Sequence, residues 1–203
     1  MNKTIFNTIK IILITFYIFL FISVSNTGAE VLYEDDFEAG WNTWFSDDEA
    51  WEIGMPHEKD SNCHSGVNCA VIHPGRQSVD HISAKLISSN IDLPDIASDE
   101  ELWLKFWHWY VLEHSLDHSK QALLQFSIDG GEWQTAYGPF YGDNQEWEKV
   151  YVDLTALAGS TIQIGFLVSS DLAGTDDRWY VDDIVIEVLK CDYIPAVQKV
   201  IVP

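Results

Sequence analysis

Basic residues are scarce in this chain: 11 Lys and Arg stand against 32 Asp and Glu in 203 residues, a formal charge of −21. A polyanion repels phosphate backbones, which argues against a nucleic-acid partner, and the Lys/Arg patches that anionic membranes attract are missing. Most of this charge reads as a solvated surface that keeps a protein soluble. Internal repeats, low-complexity tracts and Pro/Ser-rich linkers are absent, so one domain is expected. The segment after Val188, from Leu189 to Pro203, is too short to fold alone.

A run long enough to span a bilayer is also lacking. Lys3 and Lys10 precede an apolar stretch, Ile11 to Val24, that falls short of the roughly 20 residues a spanning helix needs. Small and polar residues follow, up to Thr27-Gly28-Ala29. This is the pattern of a secretory signal peptide cleaved after Ala29, with no membrane insertion once it is removed. Cleavage takes away two lysines and no acids, which leaves a charge of −23 on residues 30–203.

Cysteine is nearly absent, with three residues in all. Cys63 and Cys69 flank a loop-like stretch, Cys-His-Ser-Gly-Val-Asn-Cys, and export favours a small looped disulfide between them. Cys191 is left over, as a free thiol or a link between chains. The spacing does not match a Cys-x-x-Cys zinc cluster.

Helical periodicity is missing downstream of the leader, and alternation takes its place. Ala122, Leu124, Phe126 and Ile128 alternate with mostly polar neighbours, as do Val150, Val152 and Leu154, and Ile162, Ile164, Phe166 and Val168. Period two marks half-buried strands. The run Leu102 to Leu112 is apolar on both faces, as a central strand covered on two sides would be. Asp129-Gly130-Gly131 supplies the positive φ angles of a tight hairpin. Further strands are expected at Val31–Glu38, Val71–His73 and Ser83–Ser88. Many short strands without an amphipathic helix predict an all-β, antiparallel two-sheet β-sandwich. Its first and last strands, Val31–Glu38 and Trp179–Val188, are expected to pair, bringing Asp35, Asp36 and Glu38 near Asp182 and Asp183.

That last strand, Arg178 to Val188, carries the adjacent carboxylates of Asp182 and Asp183 in an otherwise apolar, β-branched segment. Burying ionised carboxylates is unfavourable unless a cation or several donors meet them. With few basic residues nearby, a hard metal ion is the first candidate, and calcium, which takes six to eight oxygen ligands, suits the chemistry. The competing reading is that the pair caps loop amides.

Seven segments then follow one pattern in order: Asp35-Asp36-Phe37-Glu38 with Trp41, Trp51 to Pro56, His64-Ser65-Gly66, Phe106 to Tyr110 with Glu113, Ser127 to Trp133, Val152-Asp153-Leu154, and Trp179 to Ile184. Together they resemble the MAM-like jelly-roll accessory domain of immune-inhibitor-A-type secreted metalloproteases, over about residues 33–188. The resemblance implies a jelly roll (a MAM/concanavalin-like sandwich) spanning residues 30–190, with 191–203 as a tail. It also implies a structural calcium ion held by Asp36, Glu38, Glu113, Asp117 and Asp182 or Asp183. The chain lacks the cysteines that flank the first strand of animal MAM domains. It also lacks His-Glu-x-x-His, so the resemblance does not make it a protease.

Other chemistries fit less well. His114 and His118 with Glu113 and Asp117 could suggest zinc or copper, but histidines four apart share a face only on a helix, and this stretch reads as a loop. Glu113 with Asp117, or Glu132 with Glu146, could be nominated as glycosidase acids, yet acids this numerous form such pairs by chance. No nucleophile elbow surrounds Ser65 or Ser127. Trp103, Trp107 and Trp109 share one strand face and are assigned to core packing over a sugar-stacking platform. Trp41, Trp44 and Trp133 lie near turns and are expected to be exposed, as contacts for a ligand.

The sequence therefore predicts a secreted, non-catalytic, calcium-stabilised binding or adhesion module, with a monomer as the working expectation. Its partner would be an extracellular protein or glycan. The alternative is a small secreted hydrolase using paired carboxylates.

Overall fold

The computed structural model describes residues 29–56, 62–72, 82–112, 121–144, 146–170, 177–190 and 200–201. The expected leader up to Gly28, Glu113, Asp117 and Cys191 lie outside these residues.

Among the described residues, fourteen strands form two sheets packed face to face, the expected all-β jelly-roll sandwich. The first sheet is built on two strands of 13 residues, β7 (Glu100–Leu112) and β13 (Arg178–Lys190), paired antiparallel along nearly their whole length. β11 (Glu148–Asp153) flanks β7 on its other side, so the run that is apolar on both faces does lie mid-sheet. β4 (Cys69–Ile72) and β3 (Trp51–Gly54) continue the sheet beyond the first half of β13, and β1 (Glu30–Asp35) pairs with its second half. β10 (Gly142–Asp143) joins β7, and β14 (Val200–Ile201) runs parallel to β11. The segment expected to be a tail thus contributes two strand residues.

The second sheet runs β2 (Trp44–Ser46), β5 (Ile82–Ser88), β12 (Thr161–Ser170), β8 (Gln121–Ile128) and β9 (Gln134–Tyr137), with β6 (Ile91–Asp92) paired to β12. The β8–β9 connection is the tight turn its sequence predicts: Asp129 and Gly130 have φ of 51° and 71°, and the Gly131 amide donates to the Ile128 carbonyl at 2.8 Å. Only small-penalty residues such as Gly, Asn and Asp enter that region readily.

The core lies between the sheets. Leu102, Leu104, Phe106 and His108 of β7 and Trp179, Val181, Ile184 and Ile186 of β13 meet Leu124, Phe126, Ile164 and Phe166 of the second sheet, all buried. The inward set on β13 breaks strict alternation between Val181 and Ile184. A β-bulge there, with Asp183 at φ 47°, absorbs the extra residue. Without it, period two would carry Asp183 into the apolar core behind Val181. The bulge instead turns the second carboxylate out of the core and returns Ile184, Ile186 and Val188 to it.

The inward set of β7 corrects one expectation. The core-facing residues are those between the tryptophans, so Trp103, Trp107 and Trp109 face the outer side of the sheet. Trp103 is still buried there, and its indole N–H donates to Glu101. Trp107 and Trp109 are half-buried, stacked on His64 at 3.9 Å and on Tyr180 at 5.0 Å between ring centroids. The loop carrying His64 covers this outer face, which explains why the strand is apolar on both sides.

Candidate functional site

Pairing of β1 with β13, Asp35 opposite Ile184, sets the acidic end of the first strand beside the bulge of the last. Asp36 and Asp183 line one cavity of about 370 Å³ together with Glu34, Asp35 and Asn42. Asp35 is committed to local structure: its carboxylate accepts from the Phe37 amide at 2.9 Å and from Asn42 Nδ2 at 3.1 Å. This cap holds buried Phe37 at φ 58°, an uncommon backbone angle for an aromatic residue. Asp36 accepts the Glu38 amide at 3.1 Å.

Glu38 and Asp182 meet the same loop, residues 62–69, from two directions. Glu38 Oε1 accepts the amides of Val67 at 2.7 Å and Asn68 at 2.6 Å. Asp182 accepts the Ser65 amide at 3.0 Å and the Asp183 amide at 2.8 Å. Asp183 accepts from Ser65 Oγ at 2.7 Å and bonds His64 Nδ1 at 2.5 Å. Gly66 is required here, because its φ is +53° and a Cβ would stand 2.5 Å from the Glu38 carboxyl. The loop is closed by the Cys63–Cys69 disulfide, with Cα atoms 5.5 Å apart. Its sulfurs lie close to Asp182, but they are bonded to each other and offer no thiolate to a metal.

Asp182 is fully buried. Burial pushes its carboxyl up to about 7; the Ser65 amide opposes this and the neighbouring Asp183 charge adds to it. A buried acid beside a second carboxylate is an arrangement that a cation would relieve. The donors are hard oxygens, and a carboxylate oxygen that accepts one N–H keeps a second lone pair. Oxygen donors of this kind are those calcium takes, while the bonds present are those of the amide-capping reading, to the loop amides of Ser65, Val67 and Asn68.

Among the described acids, the fold thus gathers Asp36, Glu38, Asp182 and Asp183 at one end. His64 and Ser65, which engage Asp183, are the partners that sequence reasoning left without a role. Ser65 Oγ donates to Asp183 and not to His64, so no nucleophile is activated there. Glu132 sits in the β8–β9 hairpin of the second sheet and Glu146 before β11 of the first, so the topology separates that carboxylate pair.

The three candidate contact tryptophans diverge. Trp41 is 39% exposed, as expected. Trp44 is buried at 4%, packed on Phe37 and Phe166, because β2 turns it inward against the second sheet. Trp133 is half-buried: it covers Gly165, where a Cβ would meet the indole at 2.7 Å, and Lys85 Nζ lies 4.0 Å from its ring centroid. A shallow, open surface depression is lined by Trp41, Trp44, Phe45, Ser46, Asp47, Asp48, Glu49 and Trp51. Phe45 and its acidic neighbours had drawn no notice, since a three-residue strand leaves too little periodicity to read.

No protein-family model matches the chain. It is 28% identical over 158 residues to Bacillopeptidase F of Bacillus subtilis (strain 168), covering 76% of this chain and 10% of that protein. The chain thus spans about a tenth of the length of that relative. Among solved structures it resembles TmCBM61 in complex with β-1,4-galactotriose, with TM-score 0.52 and 16% identity over 82% of this chain and 97% of that one. It also resembles the K3 cleaved adhesin domain of Lys-gingipain from Porphyromonas gingivalis w83, with TM-score 0.50 and 17% identity over 79% of this chain and 99% of that one. At these identities the likeness establishes the fold, a jelly-roll β-sandwich shared with a carbohydrate-binding module and an adhesin domain.

Proposed function

We propose that this chain is an exported, non-catalytic module that binds an extracellular protein or glycan, of the kind that accompanies secreted proteases, with calcium stabilising its β1–β13 end. The observation that carries this reading is that Asp183 belongs both to the cavity it lines with Asp36 and to the loop 62–69 that Glu38 and Asp182 also bond. Calcium would supply charge compensation and a cross-link between the first and last strands. Asp36 and Asp183 would ligate from the cavity, with Asp182 and Glu38 behind them. Glu113 and Asp117, which follow β7 in the sequence and lie outside the described residues, would complete the expected set. The likeness to Bacillopeptidase F and to the adhesin and carbohydrate-binding folds supports an accessory, binding role.

Thermal unfolding in chelator, with and without excess calcium, tests the site. Calcium is expected to raise the melting temperature by several degrees through mass action, and Asp36→Ala and Asp183→Ala to abolish most of that rise; Asp183→Ala also melts below the parent in chelator, because it loses its bonds to Ser65 and His64. Equal melting of parent and variants in calcium would overturn the assignment. The hydrolase alternative predicts turnover of a glycan that depends on Glu113 or Asp117.

A further inference from the structure

Charge is divided unequally between the two sheets. Of the 203 residues 32 are acidic, and the first sheet carries its share, with Asp182, Asp183 and Glu187 on β13 and Glu148 and Asp153 on β11. The central strands of the second sheet, β5, β12 and β8, run to 7, 10 and 8 residues without one Asp or Glu. Lys85 is the single charged residue among them. Asp47 stands at the β2 edge, where it accepts the Lys85 backbone amide at 2.6 Å.

The inward positions of these strands fill the core, so the outward ones form the outer face of the second sheet. Strand pairing sets a row across it: Phe45, Ile87, Gly165, Gln125 and Thr135 lie on neighbouring strands from β2 to β9. Gln163, Leu167 and Ser169 of β12 share the face, half-buried. Phe45 is 49% exposed, and Trp133 folds back from the hairpin to lie against Gly165, with Lys85 beside it. Strands about 4.8 Å apart put these two ring-bearing points about 10 Å from each other. Gln125 Oε1 meets no donor among the described residues, although its Nε2 reaches Thr135 Oγ1 at 3.3 Å.

A face left to solvent has no reason to shed its acids in a chain of charge −21. A face that a ligand covers does, because each carboxylate beneath it would lose water without gaining a partner. The side chains that remain are mainly amides, hydroxyls and rings. Amides and hydroxyls exchange hydrogen bonds with hydroxyl groups in either direction, and the rings supply apolar contact area. A hydroxyl reaching Gln125 Oε1 would gain a bond there without displacing one. Other occupants fit less well: a second copy would bring a like charge, and a basic partner would be drawn to the acids of the first sheet.

We propose that the outer face of the second sheet binds a neutral oligosaccharide, laid across the strands from Phe45 toward Thr135. The proposal rests on the binding-module reading and names its ligand class. The span between the rings calls for a chain of sugars rather than a single one.

The test titrates the whole chain, in excess calcium, with neutral β-1,4-linked hexaoses of galactose, glucose and xylose and with hexagalacturonate, read by calorimetry and tryptophan fluorescence at low and high salt. At least one neutral hexaose is expected to bind about tenfold or more tightly than hexagalacturonate, with little change between the two salts. Phe45→Ala should weaken it about tenfold at an unchanged melting temperature, and Trp133→Phe should remove most of the fluorescence response. Neutral-sugar binding that neither variant changes would overturn the proposal while sustaining the module reading. Hexagalacturonate binding as tightly as the neutral chains would overturn it too. No binding by any of these sugars would also overturn it, and the calcium melts would then judge the β1–β13 site separately.

Discussion

His108 contributes one acid-sensitive group to the fold. It projects from β7 into the core at 1% exposure, with the rings of Phe140 at 4.7 Å, Tyr110 at 5.0 Å and Phe106 at 5.5 Å. The Trp179 indole N–H donates to its Nδ1 at 3.4 Å, so the proton of the neutral ring sits on Nε2, facing Glu148 at 4.0 Å. Burial pulls its pKa down from 6.5 to about 3. The unfolded chain therefore binds a proton between those values that the folded chain does not. Stability contributed by the neutral ring is complete above the unfolded value and is lost as pH falls toward the folded one.

At about pH 5, roughly one and a half units below the unfolded value, the loss comes to about 2 kcal/mol relative to pH 7.5. His108→Phe removes the titration and keeps an aromatic ring in place. It leaves the Trp179 N–H without its acceptor, a cost that is the same at every pH. Asp182 works in the opposite sense, since its raised value favours the folded state as pH falls, but it is present in both proteins and cancels in their difference. Urea unfolding followed by tryptophan fluorescence at both pH values gives the four stabilities needed. The parent should lose about 2 kcal/mol more than the variant on acidification. Equal losses within about 0.5 kcal/mol would show that His108 does not titrate as a buried neutral base and would refute the argument.

Three further outcomes follow from the packing. Phe106→Ala, at a fully buried position with Phe166 edge-on at 5.1 Å, should cost about 3–5 kcal/mol in urea unfolding, and a loss below about 1 kcal/mol would contradict the burial. Gly165→Ala should displace the Trp133 indole and cost about 1–2 kcal/mol, a penalty that should largely vanish in a Trp133→Ala background; additive losses would place the clash elsewhere. Replacing Cys63 and Cys69 together by Ser should cost about 2 kcal/mol by loop entropy, and free thiols at both positions in unreduced peptide maps would contradict the bond.

Alternation located β8, β11 and β12, which fall where Ala122–Ile128, Val150–Leu154 and Ile162–Val168 predict them, because side chains on a half-buried strand must alternate; the two longest strands, β7 and β13, were legible as apolar runs instead. The turn at Asp129-Gly130 was equally legible, since its backbone demand is local. The Cys63–Cys69 pairing was too, because so short a loop keeps its ends within reach. Asp182 and Asp183 could be named in advance, as carboxylates in an apolar strand require partners, whereas Asp36 and Glu38 were candidates only through the family resemblance.

Tertiary structure decided which partners those are. His64 and Ser65 reach Asp183 across more than a hundred residues of chain, and no periodicity carries such a contact. The bulge at Asp183 depends on β7 and β1 pairing with β13 on either side of it, so the sequence could announce an acidic pair without saying that one member stays under the loop and the other turns toward β1. The tryptophans divide in the same way. Composition made them abundant, but whether Trp44 enters the core, Trp133 folds over Gly165 or Trp41 stays open depends on which sheet face each strand presents to its neighbour. Hydrophobic character is local information, whereas the side of a sheet that becomes the interior is fixed only when both sheets are in place.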